Sequence, residues 1–259
     1  MMKDTLRQTA VIVTILITLI VNGLANALPL NGFYTGQISD RFQVYFVPAG
    51  YVFSIWGVIY LGLIAFAVFQ ALPAQRQNPR LQAVGWWISL GGLANSAWIF
   101  LWHHQQFPMT VVVMLVLLAT LILTYLGLET GRTAVSRAET WAVRIPFSIY
   151  LGWITVATVA NISDLLDDWK WDGFGIAPEL WMGMMLFAVL VIAALMNFTR
   201  RDAAFTLVIL WALAGISVKQ AAVAAEATPA WITFGLVVIS FGAALFLRRP
   251  DQKNKLSRS

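Results

Sequence analysis

Three short stretches of the chain carry side chains able to do chemistry in an apolar setting. The first is Pro48-Ala49-Gly50-Tyr51-Val52-Phe53-Ser54-Ile55-Trp56, followed by Tyr60. The second is Asn95-Ser96-Ala97-Trp98, and the third runs from Pro146 through Tyr150 and Trp153 to Thr155, Thr158 and Asn161. Trp56 and Tyr60 lie four residues apart and share a helix face, while Tyr150, Trp153 and Asn161 fall on a common or adjacent one. Aromatic walls with sparse polar groups describe a small-molecule site. The competing reading of Asn95 and Asn161 is a helix–helix hydrogen bond, because an amide left unpaired in hydrocarbon is costly.

Other chemistry is thin. The chain has no Cys, so thiolate metal sites, disulfides and Cys nucleophiles are excluded. Its two histidines, His103 and His104, are adjacent and point to different sides of a helix, which disfavours a metal site. There is no phosphate-binding loop and no HExxH, and no acid–base pair accompanies the tryptophans. No catalytic residue is assigned, and none for metal. Asp164, Asp167, Asp168 and Asp172 offer oxygens of the kind a hard cation takes, but read better as a solvated, charge-biased loop. Lys219 reads as a snorkelling residue or a partner of Glu226.

The elements that must position these residues are membrane helices. Of 259 residues, 59% are hydrophobic and 11% charged, against about 25% charged in soluble domains. That excludes a soluble enzyme, a disordered chain and a nucleic-acid binder. A span needs about 20 apolar residues, and eight segments qualify: 5–27, 49–72, 81–103, 108–128, 141–165, 178–198, 202–224 and 228–247. The fold class is all-α, a polytopic membrane helix bundle of about eight transmembrane helices. The first segment also resembles a signal peptide, with Lys3 and Arg7 before an apolar run and Ala25-Asn26-Ala27 as a small-residue site. Counting it as a retained span leaves only Arg41, Lys170 and Lys219 of the 17 Lys and Arg residues on the side opposite the N-terminus. By the positive-inside rule both termini are then cytoplasmic, as expected for a bacterial inner-membrane protein.

Two connections are long, residues 28–48 and 164–176, both on the outer side, and both are candidates for a lid over the bundle interior. Trp102, Trp141, Trp169, Trp171, Trp181 and Trp231 lie near segment ends and read as an aromatic belt, whereas Trp56, Trp98 and Trp153 sit deep in their helices. Gly85, Gly91, Gly92 and Gly183 permit close helix contact, within the chain or in a homo-oligomer. The tail 249–259 is basic and reads as a solvated cytoplasmic end near anionic headgroups.

The three stretches together resemble the tryptophan-rich sensory / translocator protein family (TspO/MBR). Pro48 to Tyr60 resembles that family's PPGWVFGPVWxxLY signature, Leu93 to Phe100 its LNxxWxxxFF stretch, and Tyr150 to Asn161 its PYLxWxxFAxxLN stretch, all in family order. Ala49 replaces the second proline, the stretch between Phe53 and Trp56 is one residue shorter, and the third proline has moved to Pro146. The resemblance covers roughly residues 1–165. Residues 166–248 supply three further helices with no counterpart in the five-helix family core. It implies a membrane receptor or sensor with a pocket between the helices beneath the first loop, taking porphyrins or similar hydrophobic ligands, with no obligatory cofactor. Carried over, the ligand-binding residues are Tyr51, Trp56, Tyr60, Asn95, Trp98, Tyr150, Trp153 and Asn161. Transport of such ligands and a structural role in a larger membrane complex are the alternatives. Light-dependent porphyrin breakdown is the one enzymatic activity the resemblance suggests.

Overall fold

Backbone polar groups that cross lipid must bond to one another, and the long apolar segments meet that demand as helices. The computed structural model describes residues 2–42, 44–222 and 224–247. The tail 249–259 and Arg248 lie outside the described residues, as does the Glu226 side chain. In chain order the helices are α1 (Met2–Ala27), α2 (Thr35–Ser39), α3 (Ile55–Ala71), α4 (Pro79–His103), α5 (Phe107–Gly127), α6 (Arg137–Glu139), α7 (Ile145–Asp168), α8 (Pro178–Arg200), α9 (Ala203–Lys219) and α10 (Ala224–Phe246). No strand occurs among the described residues, only an isolated bridge between Leu30 and Phe33.

Among the described residues, seven helical stretches are long and apolar enough to cross a membrane. The remaining one, α9, has 17 residues, about 26 Å at roughly 1.5 Å per residue, which is the short end of what a span requires. The segment read as 202–224 is thus a helix only as far as Lys219, and the chain then turns. Outward faces are large and apolar: Leu61, Phe187 and Ile239 are each exposed by about two thirds. Surfaces of this kind are stable only against acyl chains, and the chain is an integral membrane protein.

Helices α1, α3, α7, α5 and α4 pack successively and close into a ring, since α4 returns to α1. Helix α9 docks on the outside of α7, and α8 and α10 pack with α9 and with each other. The molecule is therefore a five-helix ring with a three-helix annex. Close approach depends on absent side chains. A Cβ on Gly92 would sit 3.0 Å from the Thr18 hydroxyl, and one on Gly152 would sit 3.1 Å from Val208 of the annex. Gly183 has nothing near it and faces outward.

Helix starts follow sequence chemistry. Asn78 caps α4 by accepting from the Arg80 amide, with Pro79 in the first turn. Asp202 caps α9 by accepting from the Phe205 amide at 3.1 Å. Before α7 the backbone makes a π turn over Thr140–Arg144. Pro146 follows it, and its missing N–H and ring are what an ordinary α-helical path cannot accommodate.

Candidate ligand-binding site

The deep tryptophans converge. Trp56 stacks on Tyr60 with centroids 5.6 Å apart and meets Tyr150 and Trp153 edge-on at 5.9 and 6.3 Å. Phe53 meets the other side of Trp153 at 5.6 Å. Across the ring, Trp98 stacks on Trp102 at 5.1 Å. Between these groups lies a cavity of about 300 Å³ lined by Trp56, Tyr60, Trp98, Trp102, Trp153 and Asn161, among others.

Polar groups around it form two relays. The Tyr60 hydroxyl donates to Asn22 Oδ1 (2.9 Å), Asn22 Nδ2 to Asn95 Oδ1 (2.7 Å), and Asn95 Nδ2 to the Tyr150 hydroxyl (2.8 Å). This relay ties α3, α1, α4 and α7 together, with Tyr60 and Asn22 in the cavity wall and Asn95 and Tyr150 behind it. In the second, Trp98 Nε1 donates to Asn161 Oδ1 (3.1 Å) and Asn161 Nδ2 to the Thr110 hydroxyl (3.0 Å). Two buried polar atoms of lining residues have no partner: Trp153 Nε1 and Asp164 Oδ1. Both residues belong to α7 and lie eleven apart, three turns along one face.

The loop 28–48 covers the cavity, contributing Thr35, Gly36, Ser39, Asp40, Val47 and Pro48 to its lining. Its first half is held by His103, which is wholly buried. The His103 Nδ1 lies 3.1 Å from the Leu30 carbonyl and Nε2 lies 2.9 Å from the Thr35 hydroxyl. A carbonyl only accepts, so Nδ1 carries a proton and donates to it. Trp102 Nε1 donates to the Thr35 carbonyl at 3.2 Å, and Phe42 packs on Trp102 and Phe107. The second half is gripped by α9: Gln220 donates to the Tyr45 carbonyl (2.9 Å), Ala49 N–H to Gly215 O (3.1 Å), and Trp211 Nε1 to Val52 O (3.0 Å).

Of the eight residues carried over from the resemblance, Trp56, Tyr60, Trp98, Trp153 and Asn161 line the cavity. Asn95 and Tyr150 stand one layer behind, joined to it through the first relay. Tyr51 is elsewhere: it is half exposed and meets Trp211 of the annex edge-on at 5.4 Å. The five-residue 3-10 turn Gly50–Ser54 that precedes α3 directs Phe53, not Tyr51, towards the cavity.

Several expectations require correction. Trp102 is buried in the site and is not part of a boundary belt. Trp171 and Trp181 remain partly exposed near segment ends, where they pack on each other at 4.9 Å and Trp181 Nε1 donates to the Gly173 carbonyl. The acidic cluster is not one solvated loop either. Asp164 is 4% exposed and lines the cavity, whereas Asp167 pairs with Lys170 at 3.7 Å and Asp172 caps the turn at Phe174. Sequence reasoning also missed Asn22. Its signal was present as Thr14, Thr18, Asn22 and Asn26, a polar stripe at four-residue spacing along α1.

A family model described as TSPO-like protein matches residues 8–246. The chain belongs to the TSPO-like protein family. The match takes in the last three helices as well as the first five, so in this TSPO-like protein the annex lies within the matched region and does not follow it. Among curated proteins and among solved structures, none matches.

Proposed function

We propose that this TSPO-like protein is a membrane receptor for a flat hydrophobic small molecule that enters beneath the loop 28–48 and stacks among Trp56, Trp98 and Trp153. The observation that carries the reading is the cavity itself: five of the residues singled out from three separate stretches of sequence border one partly open space. Helix packing alone does not leave a hollow at the centre of a ring of indoles, since interiors are close-packed. The unpartnered Trp153 Nε1 and Asp164 Oδ1 support it further, because a bound molecule with an acceptor towards one and a donor towards the other would satisfy both.

A tetrapyrrole is the ligand class the family resemblance supplies, and the lining restricts it. Among the described lining residues Asp40 brings a carboxylate to the exposed mouth, and none is Lys, Arg or His. A neutral or cationic ligand is therefore favoured over one that brings carboxylates to this end. The volume is at the lower end of the range of about 300–1,000 Å³ for small-molecule sites, so a macrocycle requires the lid to shift. The charge segregation supports a topology with both termini in the cytoplasm and the lid on the opposite side of a bacterial inner membrane.

The test is quenching of intrinsic tryptophan fluorescence by protoporphyrin and by its dimethyl ester, using purified protein in detergent. The ester should bind about tenfold tighter, roughly 1.4 kcal/mol. Trp56→Phe combined with Trp153→Phe should weaken quenching by both. Quenching unaltered in the double variant would overturn the assignment of this cavity.

A further inference from the structure

A second concavity lies between the ring and the annex. It is a groove of about 810 Å³, open along its side, and it shares none of the tryptophans of the first cavity. One end is apolar, walled by Val58 of α3, Ile149 of α7, and Leu207 and Trp211 of α9. The other end is cationic, formed by Arg144, Arg200 and Arg201 with Asp202 and Thr130.

The cations are the unusual part. Arg144 and Arg200 are more than nine-tenths buried. Arg144 donates to the Leu128 carbonyl (3.0 Å), the Thr133 hydroxyl (2.6 Å) and the Thr133 carbonyl, and Arg200 donates to the Thr130 carbonyl (3.2 Å). Arg201 donates to the Ala244 and Leu247 carbonyls, both at 2.8 Å. Every acceptor is neutral. Among the described residues the ion pairs are Arg80–Glu139 and Lys170–Asp167, and none involves these three arginines. Asp202, the one carboxylate in the lining, is occupied by the Tyr125 hydroxyl (2.8 Å), the Ser148 hydroxyl (2.6 Å) and the Phe205 amide. Within the lining the buried Arg144 and Arg200 and the exposed Arg201 stand against Asp202 alone, with Glu139 and Glu129 acting on Arg144 without an ion pair, and buried charge short of a direct counter-ion is costly.

Two orphaned atoms mark the same place. Arg144 Nε and Thr130 Oγ1 are both buried and both without a hydrogen-bond partner, and both residues line the groove. A guanidinium N–H and a hydroxyl are what a phosphate oxygen accepts from. The π turn Thr140–Arg144 supplies Arg144 and Trp141 to the lining, so the irregular start of α7 serves to present them.

We propose that the groove between ring and annex is a binding site for one anionic glycerophospholipid, with its phosphate at Arg144, Arg200 and Thr130 and an acyl chain along Leu207 and Trp211. Continuity of a cationic end with an apolar, side-open channel selects a membrane lipid over a free anion, because a free anion has no use for the apolar half. The bound phosphate supplies the missing counter-charge, so the lipid acts as a mortar between the two helix groups.

Native mass spectrometry of the full chain extracted in mild detergent tests this, with phosphatidylglycerol and phosphatidylcholine titrated separately. One phosphatidylglycerol per chain should be retained with about tenfold preference over phosphatidylcholine, roughly 1.4 kcal/mol. Arg144→Gln should abolish that preference. Because Arg144 also braces the α5–α6 connection, a second variant is needed, and Leu207→Trp fills the groove from an outward-facing position that holds nothing else. It should lower retention about tenfold by the same conversion. Equal retention of the two lipids, unchanged retention in Leu207→Trp, or displacement of phosphatidylglycerol by inorganic phosphate would each overturn the proposal.

Discussion

Asn95 occupies the centre of a four-residue relay in which each neighbour belongs to a different helix. Replacing it with Ala leaves Asn22 Nδ2 with one acceptor fewer and the Tyr150 hydroxyl without its donor. Interhelical hydrogen bonds in membranes average about 0.6 kcal/mol and reach about 1.7. Asn95→Ala should therefore destabilise by about 1–2 kcal/mol, read as a lower Tm in detergent, and a cycle with Asn22→Ala should show coupling rather than additivity. Asp164 gives a prediction about binding. It is buried with one oxygen unpartnered, and Asp164→Leu, which keeps the volume but removes the polar group a bound molecule would meet, should weaken protoporphyrin binding about tenfold. Unchanged affinity would show that no polar group of the ligand meets this oxygen. At this scale the sequence was legible where spacing within one helix sufficed, as for Trp56 with Tyr60. It was illegible where partners came from distant helices, as for Asn22 with Asn95 or His103 with Thr35, since nothing local encodes such a meeting.

Among the elements, the loop 28–48 carries the behaviour of the site. It is pinned at Leu30 and Thr35 by His103 and at Tyr45 and Ala49 by α9. His103→Ala should free the first half only, raising the ligand dissociation rate and speeding amide exchange over 30–38 while leaving 45–52 protected. Uniform exchange across the loop would contradict two separate anchors. Gly215 of α9 is the seat of the second anchor: an added Cβ there would lie 2.1 Å from Val52 Cγ2. Gly215→Val should displace the turn before α3, lower the Tm and weaken ligand binding together. Length marked this loop and residues 164–176 alike as lid candidates, and only the family resemblance singled out 28–48. The sequence did not reveal that α9 holds the lid, because Trp211, Gly215 and Gln220 read as ordinary residues of a short apolar helix.

For the whole molecule, eight apolar segments and their order were readable because hydrocarbon thickness imposes a length on every span. The annex was readable as three helices but not as a structural dependency of the ring. Its α9 buries Gly152 of α7 against Phe205 and Val208, and Asp202 holds both Tyr125 of α5 and Ser148 of α7. A chain ended after residue 176 should therefore fail to yield a folded, ligand-binding ring, as measured by loss of a cooperative unfolding transition and of porphyrin quenching. Retention of both would make the annex an independent addition.

The turn Gly50–Ser54 is a single layer of backbone with a different tenant on each side: Phe53 borders the first cavity and Ser54 borders the groove. So thin a party wall leaves neither compartment private. Whatever widens one must lean on the other, and the filling of either space is audible next door.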